Sequence, residues 1–141
     1  MPAIPLTEEY GFVILAAAGS MVVNFWQMMN IGKLRRKHKI LYPVMISEKH
    51  EDFNCAQRAH QNTLENLPFF LVNLLLGGVR FPKYAAIAGG VFLLGRVVYS
   101  IGYYTGKPER RVPGAIMSTL LGMFPLFGMA IGTGAGLLGW F

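Results

Sequence analysis

Three stretches of the chain are apolar over membrane-spanning lengths and a fourth over a shorter one, and polar or charged segments separate them. The first runs from about Tyr10 to Ile31, near the roughly 20 residues a helix needs to cross the hydrocarbon. Within it Ser20, Asn24 and Gln27 recur at helical spacing, so its polar side chains share one face, and that face is expected to look into a helix bundle. A basic run, Lys33, Arg35, Arg36, Lys37, His38 and Lys39, is expected to end this helix and open a polar loop reaching to about Asn54.

The second helix, about 55–79, is unusual. Only Leu67 to Val79 is strongly apolar, too short alone to span, whereas Arg58 to Glu65 is polar yet of helix-forming composition. A third helix covers about 84–104 with one charge, Arg96, and a fourth covers about 114–140 with none. In the fourth, Pro125 predicts a kink, and Gly128, Gly132 and Gly136 predict a small-residue ridge for close helix packing. The pattern predicts an all-α membrane protein: a single domain, residues 1–141, folded as a four-transmembrane-helix bundle.

Composition agrees. The chain is 53% hydrophobic and only 14% charged, against about 25% in soluble domains. A net charge of +6 raises nucleic acid as a partner, but the basic residues flank apolar runs with no interleaved aromatic platform, so membrane anchoring is the better explanation. The first and third loops hold nine Lys and Arg and the second loop two, which predicts cytosolic loops one and three. With one cysteine, Cys55, neither an intrachain disulfide nor a cysteine-rich metal site is available, and no metal is expected. Cys55 itself reads as structural. Glu8 and Glu9 precede a first apolar run too long for a signal peptide, which is therefore expected to be a retained helix.

The chemistry concentrates at the cytosolic ends of helices two and three. Arg58, Asn62 and Glu65 share one helical face, as do Arg96, Tyr99 and Tyr103, and the two faces are expected to meet. Arg35 or Arg36 and Arg110 lie at the same depth. A purely structural ion network is the competing reading, but Arg58 and Glu65 lie roughly 10 Å apart along the axis, so no direct bond between them is expected. Four arginines against one glutamate also leave about three positive charges to neutralise, each costing on the order of 3 kcal/mol at mid-membrane. A small ligand with two carboxylates and one amine matches this inventory, and glutathione is the cytosol's abundant example.

The segments Arg58-Ala59-His60-Gln61-Asn62-Thr63-Leu64-Glu65, Gly95-Arg96-Val97-Val98-Tyr99 and Gly102-Tyr103-Tyr104-Thr105-Gly106 resemble the MAPEG superfamily of membrane-associated eicosanoid and glutathione proteins. Glu9-Tyr10-Gly11-Phe12-Val13 and Phe53-Asn54-Cys55 are similar to its microsomal glutathione transferase branch. The resemblance implies a homotrimer with glutathione bound between subunits and its thiol open toward lipid. It implies Arg35, Arg58, His60, Asn62, Glu65, Arg96, Tyr99 and Tyr103 as glutathione contacts, with Arg110 stabilising the thiolate, or Arg111 if the loop register slips by one. His60 stands where leukotriene C4 synthase has Gln, and Asn66 where some relatives have Tyr.

The implied activity is glutathione transfer and lipid-hydroperoxide reduction, including leukotriene C4 synthesis, on hydrophobic electrophiles dissolved in the bilayer. The implied location is the endoplasmic reticulum or outer mitochondrial membrane, with the site facing the cytosol. From a different class comes a non-catalytic fatty-acid-binding membrane partner resembling five-lipoxygenase-activating protein.

Overall fold

The computed structural model describes residues 6–141, which are all-helical with no strand among them; residues 1–5 of the expected domain lie outside them. Helix α1 spans Tyr10–His38, α2 spans Glu51–Arg80 and α3 spans Pro82–Tyr104. After a 3₁₀ turn at Pro108–Arg111 the chain continues as α4 (Val112–Ile116), a π-helical segment (Met117–Met123) and α5 (Phe124–Leu137). By length and hydropathy α1, α3 and the continuous rod Pro108–Leu137 qualify as membrane spans. α2 does not, because its first half is polar, although its 30 residues are long enough.

α1 runs seven residues beyond the expected Ile31 and contains the basic run through His38. Apolarity marks how much of a helix lipid covers, whereas Arg and Lys are good helix formers and carry it on into water. Lys39 ends it in the left-handed conformation (φ 56°), its N–H reaching the carbonyls of Arg35 and Arg36. α2 likewise starts four residues before the expected Cys55, and Pro68 lies within it.

The disturbance expected at Pro125 takes the form of the π segment just before it. Proline offers no N–H and its ring crowds the carbonyl of Leu121, so the preceding turn widens. The Phe124 N–H accordingly bonds Thr119, five residues back.

One apolar core, Val13, Phe70, Leu74, Ala85, Ala88, Phe92 and Leu126, joins all four helices, with the Phe70 and Phe92 rings stacked at 4.1 Å. Within the chain the expected ridge does not form the close helix crossing: a Cβ on Gly128 would meet nothing within 4 Å, and Cβ atoms on Gly132 and Gly136 would meet only the side chains of Phe81 and Arg80. Close backbone approach occurs instead at Gly95 against Ser118, Gly114 against the Tyr99 backbone, and Gly122 against Phe92. These contacts seat the start of the fourth span against α3 at the level of Arg96, Tyr99 and Tyr103. The C-terminal end of α1, the N-terminal end of α2, the C-terminal end of α3 and the 3₁₀ turn thus share one end of the bundle. At the opposite end Glu9 pairs with Lys83 at 2.8 Å.

Candidate functional site

α2 presents Arg58, Asn62 and Glu65 along one stripe, and the two ends of the stripe bond directly: Arg58 Nη1 donates to Glu65 Oε1 at 2.9 Å. This corrects the expectation that two helical turns keep them apart. The backbone spacing is as expected, but an arginine and a glutamate reaching toward each other close the gap. Asn62 Nδ2 reaches Glu65 Oε2 at 3.5 Å, and its Oδ1 accepts from Arg96 Nη2 at 2.8 Å. The faces of α2 and α3 therefore meet as expected.

Arg96 is 3% exposed and, among the described residues, has no carboxylate within ion-pair distance. Its charge rests against the Tyr99 ring, 4.0 Å from the centroid. Tyr99 meets Tyr103 edge-on at 5.2 Å, and Arg111 lies over the Tyr103 ring at 5.2 Å. Six residues on α2 and α3 plus Arg111 thus form a continuous cluster. Its α2 rim, Arg58 and Glu65, is about half exposed, and Arg58 lines a cleft of about 430 Å³ together with Tyr103, Cys55, Gln61 and Pro108.

Arg110 does not join this cluster. Its side chain is exposed, and its backbone carbonyl packs against Gly102. Arg111 is half-buried, its guanidinium also donating to the Pro108 carbonyl at 3.1 Å. Two expected glutathione contacts also lie elsewhere. His60 is about 200° around α2 from Arg58 and bonds Asn24 Oδ1 at 2.7 Å. Arg35 is 8% exposed, sandwiched near the Tyr42 and Phe53 rings at 4.3 and 4.9 Å. Arg35 and His60 line a second cleft of about 200 Å³ with Gln57. Arg35 Nη1 and Gln57 Oε1 are buried there with no hydrogen-bond partner.

Behind the cluster lies a buried polar network that the sequence reading did not assemble. Gln27, on the polar face expected of α1, is fully buried and donates to Thr63 Oγ1 (2.9 Å) and Ser100 Oγ (2.7 Å). Ser100 is a hydroxyl within an apolar helix and Thr63 one within the polar half of α2, and the tendency of such hydroxyls to bond between helices is the signal that could have found them.

At this same end of the bundle His38 and His50 stack at 3.9 Å, and His38 Nε2 lies 2.8 Å from Asp52 Oδ2. Three potential ligand atoms, from two imidazoles and one carboxylate, converge there, but Lys37 already sits 3.7 Å from the same carboxylate oxygen. We read the group as a clasp joining α1, the loop and α2. Burial pushes the Asp52 carboxyl up, but the His38 hydrogen bond, the Phe53 amide and the charges of His38 and Lys37 outweigh it and hold it below its ordinary value.

The described residues form a helical bundle in which three of the four long helical rods are long and apolar enough to cross a membrane, with a cationic, tyrosine-lined face at one end. The chain belongs to the MAPEG family, whose sequence profile matches residues 13–135. It is 39% identical over 102 residues to an uncharacterized protein of Synechocystis, covering 72% of each chain. Human microsomal glutathione S-transferase 2 is 31% identical over 123 residues, 84% of this chain and 82% of the relative. Guinea-pig (Cavia porcellus) leukotriene C4 synthase is 26% identical over 109 residues, 77% and 71% of the two chains.

Proposed function

We propose that this protein is a glutathione-dependent membrane enzyme that activates glutathione as its thiolate and delivers it to hydrophobic electrophiles or lipid hydroperoxides. One observation carries the reading: the buried Arg96 charge, without a carboxylate of its own among the described residues, is joined through Asn62 to the stripe of the Arg58–Glu65 pair, and Arg58 and Tyr103 of this cluster line a cleft. Arginines recognise carboxylates in forked geometry, and Glu65 suits an ammonium. Membership of a family that includes named glutathione transferases supports it. Glu9-Tyr10-Gly11-Phe12-Val13 and Phe53-Asn54-Cys55 resemble the branch of microsomal glutathione S-transferase 3, and we place the chain in that functional class.

A free thiol of pKa near 8.5 is only a few per cent thiolate at neutral pH. Lowering that value by two units takes about 2.7 kcal/mol of preferential stabilisation, within reach of one positioned arginine in a water-poor site. Arg111, seated on Tyr103, is better disposed for this than the exposed Arg110. The thiolate then attacks carbon in transferase chemistry, leukotriene A4 conjugation included, or peroxide oxygen in peroxidase chemistry. The enzyme works in the endoplasmic reticulum or outer mitochondrial membrane with this end toward the cytosol.

The separation of Arg35 and His60 from the main cluster supports assembly as a homotrimer, in which one subunit's Arg35 face completes its neighbour's glutathione site. The unpartnered Arg35 Nη1 and Gln57 Oε1 supply donor and acceptor for that purpose. The test is a titration of full-length protein in detergent with glutathione, followed by ultraviolet thiolate absorbance. Saturable growth of the thiolate band is expected; its absence, with retained binding of a fluorescent fatty acid, favours a lipid-binding partner without catalysis.

A further inference from the structure

Thr63 occupies a position in the network where every hydrogen-bonding capacity of its hydroxyl is committed. A threonine hydroxyl has one donor and two acceptor positions. Oγ1 donates to the Ala59 carbonyl at 3.0 Å and accepts from Gln27 Nε2 at 2.9 Å and Arg96 Nε at 3.1 Å. Because the donor is aimed at its own helix, both lone pairs face the neighbouring helices, one toward each nitrogen. The side chain is 3% exposed, so no water competes for these directions.

Arg96 is gripped from its other end too. Gln27 donates its second amide hydrogen to Ser100 Oγ, and Ser100 Oγ donates to the Arg96 carbonyl at 2.9 Å. The bonds close a ring: Arg96 side chain, Thr63, Gln27, Ser100, Arg96 backbone. The ring joins α1, α2 and α3 and fixes the arginine's stem relative to its own helix. Asn62 then takes Nη2 at 2.8 Å, which aligns the guanidinium with the Arg58–Glu65 stripe. No carboxylate among the described residues performs this task. An arginine oriented by neutral hydroxyl and amide groups keeps its full charge for a ligand, whereas a carboxylate partner would neutralise it.

We propose that Thr63, held by Gln27, is the positioning residue for Arg96, setting the orientation in which its charge meets the carboxylate of glutathione. The proposal rests on the glutathione reading given above. It predicts that the hydroxyl, not the packing of residue 63, governs glutathione affinity, and that α1 contributes to the site through Gln27 without touching ligand.

The experiment compares wild type, Thr63→Val, Thr63→Ser and Gln27→Leu, all full length in detergent. It reads the dissociation constant for the unreactive S-hexylglutathione, KM and kcat with glutathione and an activated haloarene, and the thermal midpoint. Valine keeps shape but strands the Arg96 Nε–H, so Thr63→Val should weaken S-hexylglutathione binding and raise the glutathione KM about tenfold, with kcat changed far less. Thr63→Ser should restore both. Gln27→Leu should move the same constants in the same direction by a smaller factor. If Thr63→Val lowers the thermal midpoint but leaves binding and KM at wild-type values, Thr63 is a packing residue and the proposal fails. It fails equally if Thr63→Ser folds to the wild-type midpoint yet binds as poorly as the valine variant. Wild type that does not bind S-hexylglutathione at all overturns the glutathione reading itself.

Discussion

The Arg111 guanidinium lies over the Tyr103 ring, 5.2 Å from its centroid, whereas Arg110 beside it projects into solvent. If thiolate stabilisation belongs to the arginine held against the cluster, Arg111→Ala should cut kcat on the order of a hundredfold and suppress the thiolate band. An exposed charge is screened, so Arg110→Ala should leave turnover within about threefold. Turnover and thiolate absorbance of the two variants, measured side by side, decide the matter; the reverse ranking would assign the role to Arg110.

Arg58 and Glu65 bond at 2.9 Å with both side chains about half exposed. Such a pair contributes little to stability, about 0–1 kcal/mol. Glu65→Gln should therefore leave the thermal midpoint nearly unchanged while raising the glutathione KM about tenfold, through loss of the carboxylate opposite the ammonium. A large fall in the midpoint with an unaltered KM would mean the pair serves the fold alone.

A Cβ on Gly114 would overlap the Tyr99 backbone, and one on Gly128 would meet nothing within 4 Å. Backbone cannot yield as a flexible side chain does, so Gly114→Ala should destabilise by about 1–3 kcal/mol or more and disturb glutathione binding through Tyr99. Gly128→Ala should be neutral within about 0.5 kcal/mol. Thermal unfolding in detergent, monitored by circular dichroism, compares them.

Asp52 titrates below its ordinary value in the folded protein, so its contribution is present above the unfolded carboxyl pKa of about 3.9 and is lost as pH falls through the lower folded value. The protection of residues 39–50 against hydrogen exchange, relative to the intrinsic rate at each pH, should hold steady at pH 5 to 7 and fall as the pH drops below about 4. In Asp52→Asn that acid-dependent loss of protection should vanish; an unchanged acid profile would remove Asp52 from the clasp.

Much of the site was legible because helical period and membrane cost act on sequence directly. Arg58, Asn62 and Glu65 form the expected stripe, and the stripe meets Arg96 through Asn62. The direct Arg58–Glu65 bond was missed because spacing along an axis says nothing of how far two long side chains extend. The Arg110–Arg111 alternative stayed open for a related reason: in a short loop with Gly106 and Pro108, one residue of register exchanges which side chain faces Tyr103.

The sequence by itself determined that this chain is a helical membrane protein with excess positive charge at one end, since a polar side chain in hydrocarbon must have a reason to be there. It also determined which polar residues share a helix face, because 3.6 residues per turn leaves no choice. Only the tertiary structure decided which faces touch. It put the close crossing at Gly95, Gly114 and Gly122, not at the Gly128–Gly136 series, and it placed Arg35 and His60 apart from the Arg58 cluster. It also joined Gln27, Thr63, Ser100 and Arg96 into one ring across three helices. Those outcomes depend on helix rotation and on contacts far apart in sequence, and no local pattern of apolar and polar positions encodes them.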